Sequence, residues 1–157
     1  MASWSEVTEA APELSAAVRR VFDAHKHKTM ATLRRDGAPR ISGTEVDFRD
    51  GELWIGSMPD AHKARDLQRD PRLAIHSATV DSDMADGDAK VSGRAVEVTD
   101  EAAKDRVRTD DTPPEPFHLF RVDVTEIVLM TLAGDPPDRM VIESWHEGRE
   151  VERVERR

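Results

Sequence analysis

Residues 30–57 read Met30-Ala31-Thr32-Leu33-Arg34-Arg35-Asp36-Gly37-Ala38-Pro39-Arg40-Ile41-Ser42-Gly43-Thr44-Glu45-Val46-Asp47-Phe48-Arg49-Asp50-Gly51-Glu52-Leu53-Trp54-Ile55-Gly56-Ser57. Two Asp-Gly pairs separate runs of alternating or β-branched residues, and Asp-Gly between extended runs is a strong hairpin signal. Residues 30–33, 39–48 and 53–57 are therefore predicted as three antiparallel strands in a meander.

Outward from this stretch the same logic gives the rest of the chain. Leu14, Val18, Val21 and Phe22 recur at helical spacing behind Pro12, so a helix is predicted over 11–26. Residues 60–68 suit a short helix that ends before Asp70-Pro71, because the residue before proline avoids helical angles. Strands are predicted over 73–77, 90–98, 117–132 and 140–145. A helix over 99–107, with Thr99 as its cap, separates the middle two. About seven strands with few helices point to a mainly β fold with helical additions, a closed or nearly closed antiparallel barrel. One domain over 1–157 is expected, with residues 1–10 as a flexible arm and 148–157 as a flexible charged tail.

Composition narrows the function. The formal net charge of -9 disfavours nucleic-acid partners, because phosphate neutralisation needs a clustered excess of Lys and Arg. The longest apolar run, residues 127–130, is far below the roughly 20 residues that span a bilayer, so no membrane partner is expected. The absence of cysteine excludes thiolate chemistry, and with no visible leader it suits a cytoplasmic location. Leu, Ile, Val and Phe make up only about 20% of the chain, a thin supply for a core.

The segment Ile55-Gly56-Ser57-Met58-Pro59-Asp60-Ala61-His62-Lys63-Ala64-Arg65-Asp66 runs from a strand into a helix. His62, Lys63 and Arg65 crowd cations into the first turn, where the helix dipole opposes them. A bound phosphate would reverse that sign. The plainer alternative pairs these basic groups with Asp60 and Asp66 on a solvated helix. Arg40, opening the second strand of the predicted meander, falls within reach of the same anion if the meander forms.

At these residues the chain resembles the pyridoxamine 5′-phosphate oxidase-like superfamily, which includes flavin and deazaflavin oxidoreductases. The likeness is carried by residues 31–42, by Gly51-Glu52-Leu53-Trp54-Ile55-Gly56-Ser57, by His62-Lys63-Ala64-Arg65-Asp66-Leu67 and by Asp70-Pro71-Arg72-Leu73-Ala74-Ile75. It implies a split β-barrel, a homodimer and a cofactor at the dimer interface, either FMN or the deazaflavin coenzyme, acting on a small-molecule substrate. By the same resemblance Arg40, Ser57, His62 and Lys63 hold the cofactor phosphate. Ile41, Ser42, Gly43 and Thr44 line the ring, with Ile55 and Gly56 beside them. An exposed basic groove beyond Lys63, using Arg65 or Arg69, would favour the deazaflavin coenzyme, whose polyglutamyl tail is anionic.

Two departures qualify the resemblance. Glu45 stands where the oxidase carries a basic residue, and Ser144-Trp145-His146-Glu147-Gly148-Arg149 replaces its substrate-binding Arg-x-His pair. Vitamin B6 phosphate is therefore not the expected substrate. A protein that binds flavin or haem without turnover is an alternative to the oxidoreductase, and Glu45 keeps open a third reading, a barrel that has lost its ligand. Trp145 and His146 are candidate ring or substrate contacts, with an interface role as the alternative. No catalytic acid or base is named, because no triad or carboxylate pair is present. The acidic stretch 81–88 misplaces the glycine and glutamate that a calcium loop requires. His25-Lys26-His27 lacks a third ligand, so no metal site is expected.

Overall fold

The computed structural model describes residues 1–79, 84, 86–112 and 114–157. Half of the acidic stretch 81–88 weighed as a cation loop, residues 81–83 and 85, lies outside the described residues. The quoted segment forms β1 (Lys28–Leu33), β2 (Pro39–Thr44), β3 (Asp47–Arg49) and β4 (Glu52–Ser57). Both predicted turns form. The Arg34 amide donates to the Ala38 carbonyl at 2.8 Å to close the first. Asp50 (φ 53°) and Gly51 (φ 74°) make the second, a two-residue turn in the left-handed region that suits the twist of flanking strands.

The meander itself does not form. β2 pairs only with β1, and its last rung sets Lys28 opposite Thr44. β1 begins at Lys28, so beyond Thr44 no neighbouring backbone remains to continue the ladder. Glu45 and Val46 leave the strand, and the run predicted over 39–48 resumes as β3, which pairs with β4 alone. The other edge of β4 joins β7 (His118–Gly134). With β5 (Arg72–His76) and β6 (Asp88–Glu97), the order is β2-β1-β5-β6-β7-β4-β3. β8 (Pro137–His146) and β9 (Glu152–Arg156) extend the distal half of β7.

Among the described residues nine strands thus stand where about seven were predicted, because the second run is broken and the charged tail adds an edge strand. β2 approaches β4 without a ladder between them, so the barrel is split rather than closed. The fold class is the predicted one, mainly antiparallel β with helical additions in a split barrel. Its curvature is helped by a register shift at Ser92/Gly93, where a Cβ on Gly93 would meet the Asp123 carbonyl oxygen.

The thin apolar supply is concentrated on inward-facing positions. Met30, Leu53, Ile55, Ile75, Val91, Val122, Val124 and Ile127 are fully or almost fully buried at period two along their strands. Residues 1–10 contribute directly to this core. Ala2 bridges to Val124, Ser3 caps α1 (Trp4–Ala10) in a reciprocal pair with Glu6, and the Trp4 ring lies 4.5 Å from that of Phe48. α2 (Pro12–Asp23) buries the predicted stripe of Leu14, Val18, Val21 and Phe22 but stops before His25.

α3 (His62–Arg69) follows β4, and α4 (Glu101–Val107) follows β6. α4 is capped by Asp100 rather than by the predicted Thr99. The Asp100 carboxylate accepts from the Ala103 amide at 2.8 Å, three residues on, where a cap oxygen reaches the exposed donor.

Candidate functional site

The split between β2 and β4 opens into a cleft of about 790 Å³. One wall is the chain leaving β2, from Gly43 to Asp47, and the other is Trp54, Gly56 and Ser57 of β4. Ala61 and Lys63 of α3 close one end. Val107 and Arg108, with Phe117 and Leu119, close another, and Lys28 lies beside Thr44. The volume is that of a small-molecule pocket; most of the lining side chains are polar or charged, with an apolar patch from Val46, Trp54, Met58, Phe117 and Leu119.

The cleft gathers some of the predicted site residues and leaves others outside. Gly43, Thr44, Gly56, Ser57 and Lys63 line it. Gly43 and Gly56 have open space where a side chain would stand, so a flat ligand can lie against backbone there. Ser57 is buried, and its hydroxyl has only a long 3.4 Å contact to the Met58 carbonyl. Ile55 points the other way, into the core, because it is out of phase with Trp54 and Gly56 on the strand. Ile41 is 74% exposed, Ser42 is half-buried, and His62 is exposed outside the cleft lining.

Lys63 is the central cation. Its Nζ donates to the Gly43 carbonyl at 2.9 Å, tying α3 to β2 across the split. Among the described residues no carboxylate lies within ion-pair distance of it. Burial lowers its pKa below the usual lysine value, and the more distant charge of Glu45 only partly opposes that. A half-buried ammonium with one neutral partner keeps donors and charge that the described residues leave unused.

Arg40 differs from its expected placement. Thr32 stands directly opposite it on β1, and both side chains reach Asp66 of α3: Arg40 Nε at 2.6 Å and Thr32 Oγ1 at 2.8 Å. Arg69 Nη2 donates to the other carboxylate oxygen at 2.9 Å. Asp66 is 2% exposed. Burial alone would raise its pKa, but the three hydrogen bonds hold it below the ordinary aspartate value. Arg40 is thus anchored through Nε, with its terminal nitrogens not engaged among the described residues.

The plainer alternative for the helix basics holds in part: Arg65 pairs with Asp60 at 3.0 Å and Arg69 with Asp66. Asp60 serves as that partner rather than as a helix cap, and α3 has no side-chain cap. Arg65 and Arg69 thus each carry an aspartate partner.

Trp145 and His146 are also displaced from the cleft. Trp145 is 3% exposed, sharing the inner face of β8 with Val141 against the core, and His146 lies near Glu126 at 3.8 Å. Alternation along β8 turns the indole into the core, outside the cleft lining. Residues not singled out from the sequence take their place. Trp54 lines the cleft with its indole N–H held by the Arg49 carbonyl at 3.1 Å, and Lys28 does so with 6% exposure. The alternation of Trp54 with Leu53 and Ile55 was a usable signal, whereas nothing local marked Lys28. Glu45 is on the rim, 3.9 Å from Lys26 Nζ and 3.7 Å from His27 Nδ1, so its charge is opposed by its own neighbours.

Residues 14–131 match the family model described as pyridoxamine 5′-phosphate oxidase. No curated protein matches the chain. Among solved structures, PhzG from Burkholderia lata, determined in complex with tetrahydrophenazine-1-carboxylic acid, superposes with a TM-score of 0.65 at 14% identity over 98% of this chain and 93% of its own. A pyridoxamine 5′-phosphate oxidase-related, FMN-binding protein from Nostoc punctiforme gives 0.64 at 14% identity, over 94% and 96%. A conserved hypothetical protein from Mycobacterium tuberculosis gives 0.55 at 23% identity, over 71% and 81%. At these identities the structures speak to the fold alone, while the family model covers most of the sequence. The split antiparallel barrel and the match over residues 14–131 together make this chain a member of the pyridoxamine 5′-phosphate oxidase family.

Proposed function

We propose that the chain binds FMN in the cleft between β2 and β4 and acts as an oxidoreductase on a small molecule, as a homodimer. The observation that carries this reading is Lys63, half-buried at the cleft with no carboxylate partner among the described residues. The residues present fit the cofactor. Lys63 and Ser57 offer charge and hydrogen bonds to a phosphate, and Gly43 and Gly56 leave backbone open for a planar ring; Arg40 stands outside the cleft lining, held by Asp66, with its terminal nitrogens not engaged among the described residues. FMN, when bound, supplies two-electron transfer as hydride. The chain's own part is to anchor, orient and shield, since among the described residues the cleft holds no arrangement of a nucleophile with its base.

The pairing of Arg65 and Arg69 with aspartates weighs against the deazaflavin coenzyme, whose anionic tail needs open cations beyond Lys63. A dimer is supported by Ile41 (74% exposed) and Met58 (71% exposed), large apolar side chains on the two sides of the split. Among the described residues no helix is long and apolar enough to cross a membrane.

The test is the absorbance spectrum of freshly purified protein with mass spectrometry of any released chromophore, followed by titration with FMN and with the deazaflavin coenzyme. Saturable FMN binding that is weakened in Lys63→Gln is the expected result. Tighter binding of the deazaflavin coenzyme, or no flavin binding, would overturn the FMN assignment. Reduction of the bound flavin without electron transfer to any acceptor would instead indicate a carrier.

A further inference from the structure

Lys28 opens β1, yet its side chain is 6% exposed and lines the cleft beside Thr44, its partner across the β1–β2 ladder. Its Nζ donates to the carbonyls of His25 at 2.5 Å and Lys26 at 3.1 Å, just past the end of α2. An ammonium has three donors, so one N–H and the full charge are left without a protein partner among the described residues. Asp23 and Glu45 act on it only from beyond ion-pair distance, and burial lowers its pKa despite them. Nearly full burial of a lysine without a counter-ion is costly, and the fold retains it at the wall of its one large described cleft.

We propose that Lys28 is a second anion-binding point of the cleft, separate from Lys63, and that it receives the carboxylate of a small apolar organic acid. This rests on the reading of the cleft as a flavin site in which Lys63 is committed to the cofactor phosphate. A single free donor flanked by the negative fields of Asp23 and Glu45 suits a monoanion, since a phosphate dianion would be repelled twice as strongly by those two groups. The body of the ligand is assigned from the same walls, where Val46, Trp54, Phe117 and Leu119 present apolar and aromatic surface. Of the other lining cations, Lys26 stands near Glu45, Arg49 pairs with Asp47, and Lys104 and Arg108 share Glu115, whereas Lys28 has no carboxylate within ion-pair distance among the described residues.

The chain has only five lysines, so their side-chain nitrogens can be followed individually by NMR. Benzoate is titrated into the wild-type protein with and without FMN, and the Lys28 signal is read. The expected result is a saturable shift of Lys28 that persists with FMN present, with affinity at least tenfold lower in Lys28→Gln and largely kept in Lys28→Arg. FMN affinity in Lys28→Gln should stay within about threefold of wild type. No benzoate shift at Lys28 in the wild-type protein overturns the proposal, as does benzoate displaced by FMN or bound equally by Lys28→Gln. Failure of FMN itself to bind strikes the flavin reading instead, and the benzoate titration without FMN still reports on Lys28.

Discussion

Arg40 Nε and Asp66 Oδ2 stand 2.6 Å apart and lock the start of β2 to the buried face of α3. The same carboxylate takes Thr32 and Arg69, so one aspartate ties β1, β2 and α3 together. Removing one member of a buried, hydrogen-bonded ion pair typically costs about 3–5 kcal/mol. Asp66→Asn is therefore expected to lower the melting temperature markedly, measured by calorimetry, and a change of less than a degree would contradict this role.

The pH dependence of that contribution has a definite sign. Asp66 is held below its ordinary value of 3.8, so the folded state gains stability from it above that value and loses it as pH falls through the lower folded pKa. The stability difference between wild type and Asp66→Asn is thus expected to be full at pH 7 and to shrink steadily below about pH 4. Parallel denaturant curves at both pH values check it.

Arg40→Ala and Lys63→Gln separate two roles that sequence alone joined. Each is expected to weaken FMN binding by about tenfold or more, the scale of one lost charge-assisted contact of roughly 1.5–3 kcal/mol. Only Arg40→Ala should also lower the melting temperature, because it leaves Asp66 short of a partner. Lys63→Gln removes a cation that burial disfavours and should leave stability unchanged or slightly higher. Fluorescence titration and thermal melts on the two variants decide it.

Trp54 gives the cleft an optical reporter. Trp4 and Trp145 lie in the core at 4% and 3% exposure, while Trp54 lines the cleft. FMN binding is expected to quench tryptophan emission in the wild type, with most of that quenching lost in Trp54→Phe. Undiminished quenching in the variant would place the ring elsewhere.

A dimer of roughly 35 kDa is expected by light scattering at micromolar concentration, twice the chain mass of 17.6 kDa. Ile41 and Met58 are exposed enough that aspartate at either costs the monomer little. The double variant Ile41→Asp, Met58→Asp should run as a folded monomer with impaired FMN retention. A wild-type monomer under the same conditions would return the thin core to being a property of the single chain.

Local chemistry made much of this architecture legible in the sequence. Asp-Gly turns at 36–37 and 50–51, period-two burial from Met30 to Ile127 and the helical stripe of Leu14, Val18, Val21 and Phe22 all depend on neighbours within a few residues, so the residue order alone carries them. Lys63, Ser57, Gly43 and Gly56 were reachable for the same reason, as parts of one strand-to-helix segment and its neighbouring hairpin. What only the tertiary structure decided depends on partners far apart in the chain. β2 ends at Thr44 because β1 has no residue left to pair beyond Lys28. Arg40 is claimed by Asp66, 26 residues later, and Trp145 is drawn into the core by alternation on β8 rather than toward the cleft. Lys28 becomes a cleft residue only when the split opens beside Thr44. Turn geometry and periodicity are set by local sterics and alternation, whereas the pairing of a buried charge is set by whichever group the closing fold brings to it.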